Sequence, residues 1–317
     1  METSLLNNTV IEPRAYRDET DLIKMGALLR AGSAAVNGTH YAHIGDLYWS
    51  LYYAFDGDVW SNLSLWDDPQ HPDRLLAWSL TDPGWAAFDV YVQPELRGTP
   101  LAEAIYTWAE EHTAAIVRAA GQDTIRTNYI ADNDDVLNTW LYGRGFQRIG
   151  EGTVCMSQSL DTQLPQPVLP DGYIVRGCRG EAEVTARATP QYNAFTNTAP
   201  FDRYVQRFRK FMQSPVYDPE LDVVAVSPGG QIGAFCIVWP DPLNKVGLFE
   251  PVGTHPEYQR RGLGKAVMAA ALRRLKDRGM ERAIVCTTAK NTPGIRLYEA
   301  IGFQIINRFG LYEKKLV

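Results

Sequence analysis

Two periods of apolar residues run along this chain, and its second half shows both plainly. From Gly264 to Arg278, the apolar residues Ala266, Val267, Ala270, Ala271, Leu272 and Leu275 recur at helical spacing, and Gly279 stands where a C-terminal cap belongs. Ahead of that helix, Leu221 to Val226 and Gln231 to Trp239 read as strands joined by the turn Pro228-Gly229-Gly230, and Val246 to Thr254 reads as another strand. After it come a strand over Arg282 to Thr287, a helix over Asn291 to Ile301 and a terminal strand pair. Helices over 181–196 and 200–213 lead into the strands. Strands alternating with crossover helices predict an α/β unit with a mixed (α+β) sheet.

The pattern occurs twice. Val10-Ile11-Glu12-Pro13-Arg14 is matched by Tyr173-Ile174-Val175-Arg176, and Val92-Gln93-Pro94-Glu95 by Thr254-His255-Pro256-Glu257. Arg14 and Arg176 stand 162 positions apart, as do Pro94 and Pro256, while Phe146 and Phe303 of two Gly-Phe pairs stand 157 apart. Three landmarks in one order at a nearly constant offset mark a duplicated unit of about 155 residues, an ordinary domain size. The seam falls at Leu164-Pro165-Gln166-Pro167-Val168-Leu169-Pro170, which reads as an extended linker. The expected organisation is a first domain over 1–160, a linker over 161–171 and a second domain over 172–317.

Composition narrows the class. With 45% apolar and 21% charged residues and a net charge of −6, the chain suits two soluble cores and argues against a nucleic-acid binder. The start, Met1-Glu2-Thr3, lacks the basic and apolar regions of a secretory signal, and the apolar run Ile232 to Trp239 reaches only strand length. Neither membrane nor nucleic acid is expected as a partner. Cys155, Cys178, Cys236 and Cys286 are scattered without metal-ligand spacing, so reduced thiols, a cytoplasmic location and no metal are expected.

The candidate chemistry lies at Gln259-Arg260-Arg261-Gly262-Leu263-Gly264, between a strand and the long helix. Two glycines there allow a tight turn, and the free N–H groups of the helix start, with its dipole, can hold a phosphate. A second element follows at Asn291, Leu297-Tyr298 and Gly302-Phe303.

These two motifs resemble those of the GCN5-related N-acetyltransferase (GNAT) superfamily, and the duplicated layout resembles its tandem members such as the mycothiol synthases. The resemblance covers essentially the whole chain and implies two tandem acyl-CoA N-acyltransferase folds. It also implies acetyl-CoA as co-substrate, with backbone amides of Arg260, Arg261, Gly262, Leu263, Gly264 and Lys265 holding its pyrophosphate and Gln259 completing the motif. Val252, Gly253 and Thr254 would pair with the pantetheine arm, and Asn291 would reach the pantetheine or amide region. Tyr298 would protonate the departing thiolate. Glu250 is the preferred base and His255 the second choice, and some relatives use water instead.

The first half departs from these motifs. Pro100 takes the place of Gly262, removing an N–H, while Leu141 stands opposite Tyr298 and Asp134 opposite Asn291. Tyr142 should face elsewhere, being about 100° further round its helix. One silent and one working half are expected. The aromatics between Tyr41 and Trp66, including Tyr48, Trp49, Tyr52, Tyr53, Phe55 and Trp60, read as a buried interface or, alternatively, a wall of the acceptor pocket. Gln191 to Asn197 reads as the better acceptor-contacting stretch. The reaction expected is acetyl transfer to an amine of a small molecule, by a monomer or homodimer. The alternatives are a non-catalytic acyl-CoA sensor or scaffold, and acylation of a protein N-terminus or lysine.

Overall fold

In the computed structural model, the described residues are 12–35, 40–54, 58–195, 197 and 199–316. The first half runs β1 (Arg14–Ala15), α1 (Glu19–Ala35), α2 (Ile44–Trp49), β2 (Leu63–Asp67), β3 (Leu75–Asp82), β4 (Ala87–Val92), α3 (Pro100–Ala119), β5 (Thr124–Ala131), α4 (Asp135–Gly143) and β6 (Gln147–Ser159). The second repeats the order as β7 (Ile174–Gly177), α5 (Val184–Ala194), α6 (Phe201–Met212), β8 (Asp222–Val226), β9 (Ile232–Asp241), β10 (Val246–Thr254), α7 (Leu263–Asp277), β11 (Arg282–Thr288), α8 (Thr292–Glu299) and β12 (Gln304–Lys315). Among the described residues, no helix is long and apolar enough to cross a membrane. Val10, Ile11, Phe55 and Thr196, all read from the sequence above, lie outside the described residues.

The strands make one mixed sheet in the order β1-β2-β3-β4-β5-β12-β6-β11-β10-β9-β8-β7. Its centre is an exchange. Strand β12 of the second half lies between β5 and β6 of the first, and β6 lies between β12 and β11. The terminal segment expected to be a strand pair is therefore one long strand, bulged after Ile305 and Phe309, which pairs with the other half on both edges. Pattern reading missed this because each strand's own alternation is the same whichever half supplies its neighbour. The segment between the halves is packed rather than free: Leu160 and Leu164 enter the second core, and Arg273 on α7 donates to the carbonyls of Leu164 and Pro165 at 3.2 Å.

Within the second half α7 buries Val267, Ala271, Leu272 and Leu275 against β8, β9 and β10. The chain leaves the helix through Gly279 at φ 81°, with the Met280 N–H on the Leu275 carbonyl at 3.0 Å, the glycine-ended cap that its sequence requires. A fully buried ion pair lies on the opposite face. Arg187 of α5 donates to Asp222 of β8 at 2.7 Å and its guanidinium lies 4.2 Å from the Phe235 ring centre, while Tyr217 donates to the same carboxylate at 2.9 Å. Charges this deep hold only when paired.

Aromatic side chains fill the join between the halves. Trp49 stacks on Tyr53 at 4.0 Å, and Tyr53 meets Phe208 of α6 edge-on at 5.6 Å. His43 caps α2: its Nδ1 accepts from the Gly45 N–H at 2.9 Å, which leaves Nε2 as the donor to the Val246 carbonyl of β10 at 3.2 Å. Burial lowers the pKa of this ring, in keeping with the neutral form.

Candidate functional site

Strands β10 and β11 pair in parallel only from Val246 to Phe249 and from Arg282 to Val285. Beyond that point β10 stays with β9 across a bulge between Phe249 and Val252, and the two parallel strands part. The gap offers unpaired backbone on Val252, Gly253 and Thr254, where an extended chain could add as a strand adds to an edge.

At the foot of this gap lies the loop into α7. Gln259 donates to the Thr254 carbonyl at 3.4 Å, Arg260 takes φ 64° and Gly262 takes φ 81° as the residue before the helix. The Ala266 N–H makes the first helical bond, to the Gly262 carbonyl at 3.0 Å, so the amides of Leu263, Gly264 and Lys265 are left for another acceptor. Gly262 supplies the left-handed turn. Gly264 supplies closeness instead: a Cβ there would stand 3.2 Å from Thr254 Oγ1 and 3.4 Å from Leu297 Cδ2. Arg261 donates to the Tyr173 hydroxyl at 3.0 Å and to the Glu257 carbonyl, while Arg260 and Lys265 are exposed beside the open amides. A helix start with free N–H groups and cationic side chains around it suits a polyphosphate.

The other residues singled out from the sequence fall into two groups. Asn291 caps α8, accepting from the Gly294 N–H at 3.1 Å and donating to Thr287 Oγ1 at 2.8 Å, so its amide is engaged locally. His255 is likewise drawn into a cap, accepting from the Glu257 N–H at 3.2 Å. Tyr298 and Glu250 remain. Tyr298 on α8 is buried, its ring set against Phe303 at 6.2 Å, and its hydroxyl makes no hydrogen bond among the described residues. Burial holds its pKa above the usual phenol range, with the neighbouring Cys286, Cys236 and Glu250 adding to the effect.

Glu250 sits on the bulge of β10 and is held from both halves. The Trp239 indole donates to its carbonyl oxygen at 2.7 Å. Helix α2 reaches that indole because residue 45 is glycine; a Cβ there would lie 2.5 Å from the Trp239 side chain. The next residue, Asp46, is thereby brought close to Glu250, and both side chains line one cavity. Burial first, then Asp46, pushes Glu250 well above the usual carboxylate range. Asp46 was not singled out from the sequence. A polar residue in a short helix of the half without the motif gives no local sign of this role.

The pair opens on a cavity of about 130 Å³ at the seam, walled from the first half by Tyr41, Trp49, Trp78 and Tyr91 and from the second by Ile284 and Cys286. Tyr53 packs the interface, while Tyr41 and Trp49 of the same aromatic stretch face the cavity. Gln191 to Asn197 does not line it among the described residues; Gln191 donates to the Tyr53 hydroxyl at 3.2 Å and Tyr192 to the Ala199 carbonyl at 3.0 Å. Two cysteines far apart in sequence, Cys155 and Cys286, stand directly opposite on β6 and β11 and remain free thiols.

The equivalent places in the first half are closed. Pro100 occupies the first position of α3, and Arg97 pairs with Asp134, which caps α4 as Asn291 caps α8. Leu141 is fully buried where the second half has Tyr298, and Tyr142 points away, 57% exposed.

Residues 185–303 match the acetyltransferase (GNAT) family model. A mycothiol acetyltransferase of Saccharomonospora viridis is 27% identical over 211 residues, covering 60% of this chain and 68% of that protein. Another, from Streptomyces bingchenggensis, is 32% identical over 141 residues, covering 44% of this chain and 46% of its own length. Among solved structures, a tandem GNAT protein from the clavulanic acid biosynthesis pathway superposes with a TM-score of 0.68 at 16% identity, covering 96% of this chain and 98% of the other. A GCN5-related N-acetyltransferase from Sphaerobacter thermophilus gives 0.63 at 20% identity, covering 95% and 94%.

Proposed function

We propose that this chain, whose residues 185–303 match the acetyltransferase (GNAT) family model, is a tandem member of that family and moves the acetyl group of acetyl-CoA to an amine of a small molecule. The observation that carries the reading is the meeting of three features in one half: the parted strands β10 and β11, the open amides at the start of α7, and the Glu250 and Tyr298 side chains beside the gap.

The pyrophosphate would rest on the amides of Leu263, Gly264 and Lys265 with Arg260 and Arg261 beside it, and the pantetheine arm would lie along Val252 to Thr254. The amine nitrogen attacks the thioester carbon, forming the C–N bond, and the C–S bond breaks. The proton leaving nitrogen goes to the carboxylate of the Asp46–Glu250 pair, and the departing thiolate takes the Tyr298 hydroxyl proton. A raised carboxyl pKa makes deprotonated Glu250 a stronger base than an ordinary glutamate, while the tyrosine stays protonated until a thiolate forms beside it. Retention of an acid and a base, beyond what cofactor binding needs, favours an enzyme over an acyl-CoA sensor. The four free thiols support a reducing, cytoplasmic setting.

The test is release of free CoA thiol from acetyl-CoA with a panel of small amines, with the acetylated product identified by mass. Amine-dependent thiol release that disappears in Glu250→Gln is expected. Acetyl-CoA binding without any amine-dependent release would favour the sensor.

A further inference from the structure

We propose that Cys155 and Cys286 form a dithiol that a hydroperoxide converts into a disulfide across β6 and β11, and that this bond deforms the neighbouring gap between β10 and β11. The disulfide is independent of the acetyl-transfer reading above; its effect on rate rests on that reading.

Strand geometry comes first. Cys155 and Cys286 are direct partners in the antiparallel pair of β6 and β11, whose register runs without a shift from Arg282 to Thr288. Opposed residues in such a pair alternate between those that exchange backbone hydrogen bonds and those that do not. Two bonds fix which kind this is. The Ala289 N–H donates to the Gly152 carbonyl at 3.0 Å, three places to one side of the cysteines, and the Leu160 N–H donates to the Glu281 carbonyl at 2.8 Å, five places to the other. Both offsets are odd, so the cysteines occupy a position without backbone bonds. Side chains approach closest there, and the usual Cα separation of about 4.5 Å falls within the roughly 4.4–6.8 Å that a disulfide spans.

Access comes next. Cys155 is buried, Cys286 is half-buried, and both line the seam cavity. A small oxidant therefore meets Cys286 first, with Cys155 directly behind it to close the bond. Cys286 follows Val285, the last residue of β11 that pairs with β10, and so stands at the mouth of the gap. The other two cysteines lack such a partner. Cys236 of β9 faces Val223 and Val252, and Cys178 follows β7 at the edge of the sheet.

The Cys286 thiolate attacks one oxygen of hydrogen peroxide, forming an S–O bond and breaking the O–O bond, and hydroxide leaves. The Cys155 sulfur then attacks the sulfenic sulfur; the S–S bond forms and the S–O bond breaks, releasing a second hydroxide. The two thiol protons turn both hydroxides into water, so the thiols lose two electrons and the peroxide gains them. The neighbouring Cys155 thiol, then burial, with Asp46 and Glu250 adding repulsion, hold Cys286 well above the usual thiol range. Thiolate is scarce at neutral pH, and the pair answers sustained rather than brief exposure.

A disulfide sets its Cβ atoms about 3.8 Å apart, against roughly 4.5–5.5 Å for an ordinary opposed pair, so β6 and β11 are drawn together by up to about 1 Å. Misplacement by about 1 Å can cost a reacting centre roughly 100-fold.

In the test, the full chain is treated with excess hydrogen peroxide, blocked with iodoacetamide and digested. We expect a linked Cys155–Cys286 peptide, two thiols in denaturant where the reduced chain has four, and amine-dependent CoA release slowed by about tenfold or more. Dithiothreitol should reverse all three. Cys155→Ser should give no link and leave sulfenic or sulfinic acid on Cys286. Four remaining thiols, a link through Cys178 or Cys236, or a disulfide that leaves the rate unchanged would overturn the proposal while leaving acetyl transfer intact. If no amine is acetylated, the transfer reading fails by itself, and the linked peptide with acetyl-CoA calorimetry decides the proposal. Affinity lowered in the oxidised protein and regained with dithiothreitol keeps it, and equal affinity overturns it.

Discussion

Asp46 of the first half and Glu250 of the second face one cavity across the seam, although 204 positions of sequence separate them. The first half thus supplies a neighbour that, after burial, raises the proton affinity of Glu250 in the second. Asp46 is fixed for this by its helix: its carboxylate also accepts from the His43 N–H at 2.7 Å.

The first prediction follows from the sign of that interaction. A base acts when deprotonated, so kcat/KM should rise with pH through the pKa of the pair. Asp46→Asn removes the part of the upward shift that Asp46 adds to burial but keeps an oxygen for the His43 N–H. The acidic limb should therefore move to lower pH, by roughly one unit or more. Glu250→Gln should lower the rate and abolish the limb, with acetyl-CoA affinity nearly unchanged. A limb that stays in place in Asp46→Asn would detach Asp46 from the base.

Stability should report the same pair with the opposite sense. A carboxyl whose pKa is higher folded than unfolded contributes stability at low pH that is lost as pH rises through the folded value. The wild type should lose stability relative to Asp46→Asn between the ordinary carboxylate range and the raised pKa, and urea titrations at several pH values will read the difference.

The third prediction concerns cofactor stoichiometry. Calorimetry should find one strong acetyl-CoA site per chain, since Pro100 and the Arg97–Asp134 pair close the equivalent place in the first half. Gly264→Trp should weaken binding by at least about tenfold, or roughly 1.4 kcal/mol, because even a Cβ meets Thr254 and Leu297 there. Two equivalent strong sites would contradict the assignment of a silent half.

How much of this could be read from the sequence depended on whether the signal was local. The helix over 263–277 and its Gly279 cap could be read because a capped amphipathic helix carries its pattern within itself. The departure of Leu141 and Pro100 from the second half's motif was likewise visible by aligning the chain with itself. Two things were not. The exchange of β6 and β12 depends on which edges meet, and strand alternation says nothing of partners. The Asp46–Glu250 pair depends on Gly45 letting α2 lie against Trp239, a contact between residues 194 positions apart. Asn291 is visible as part of a motif, and the structure adds that its side chain caps α8 as Asp134 caps α4.

Tyr298→Phe tests the acid. The ring and its packing against Phe303 remain, and the hydroxyl has no partner among the described residues to lose. The rate constant kcat should fall about 10²–10⁴-fold while Tm changes little. Undiminished kcat with chemistry rate-limiting would remove the role.

The last prediction tests whether the two halves are independent units. Residues 1–160 alone would lack β12, leaving β5 and β6 with unpaired edges and β6 without β11 on its other side. Residues 172–317 alone would expose β12 on both edges and the free side of β11. Long unpaired strand edges template association, so each piece expressed separately should aggregate or dimerise by pairing with a second copy. The seam adds apolar cost, because Trp49 and Tyr53 would lose Phe211 and Phe208 of α6, and His43 would lose the Val246 carbonyl. Expressed together as two chains, the pieces should recover the exchange and with it acetyl-CoA binding, since the linker itself contributes no catalytic group. Size-exclusion chromatography with amide hydrogen exchange across 147–159 and 304–315 is the measurement. Protection of both strands in the co-expressed pair and its loss in either piece alone is the expected outcome. A monomeric, fully protected 172–317 piece that binds acetyl-CoA as tightly as the whole chain would show that the exchange is dispensable and the halves fold alone.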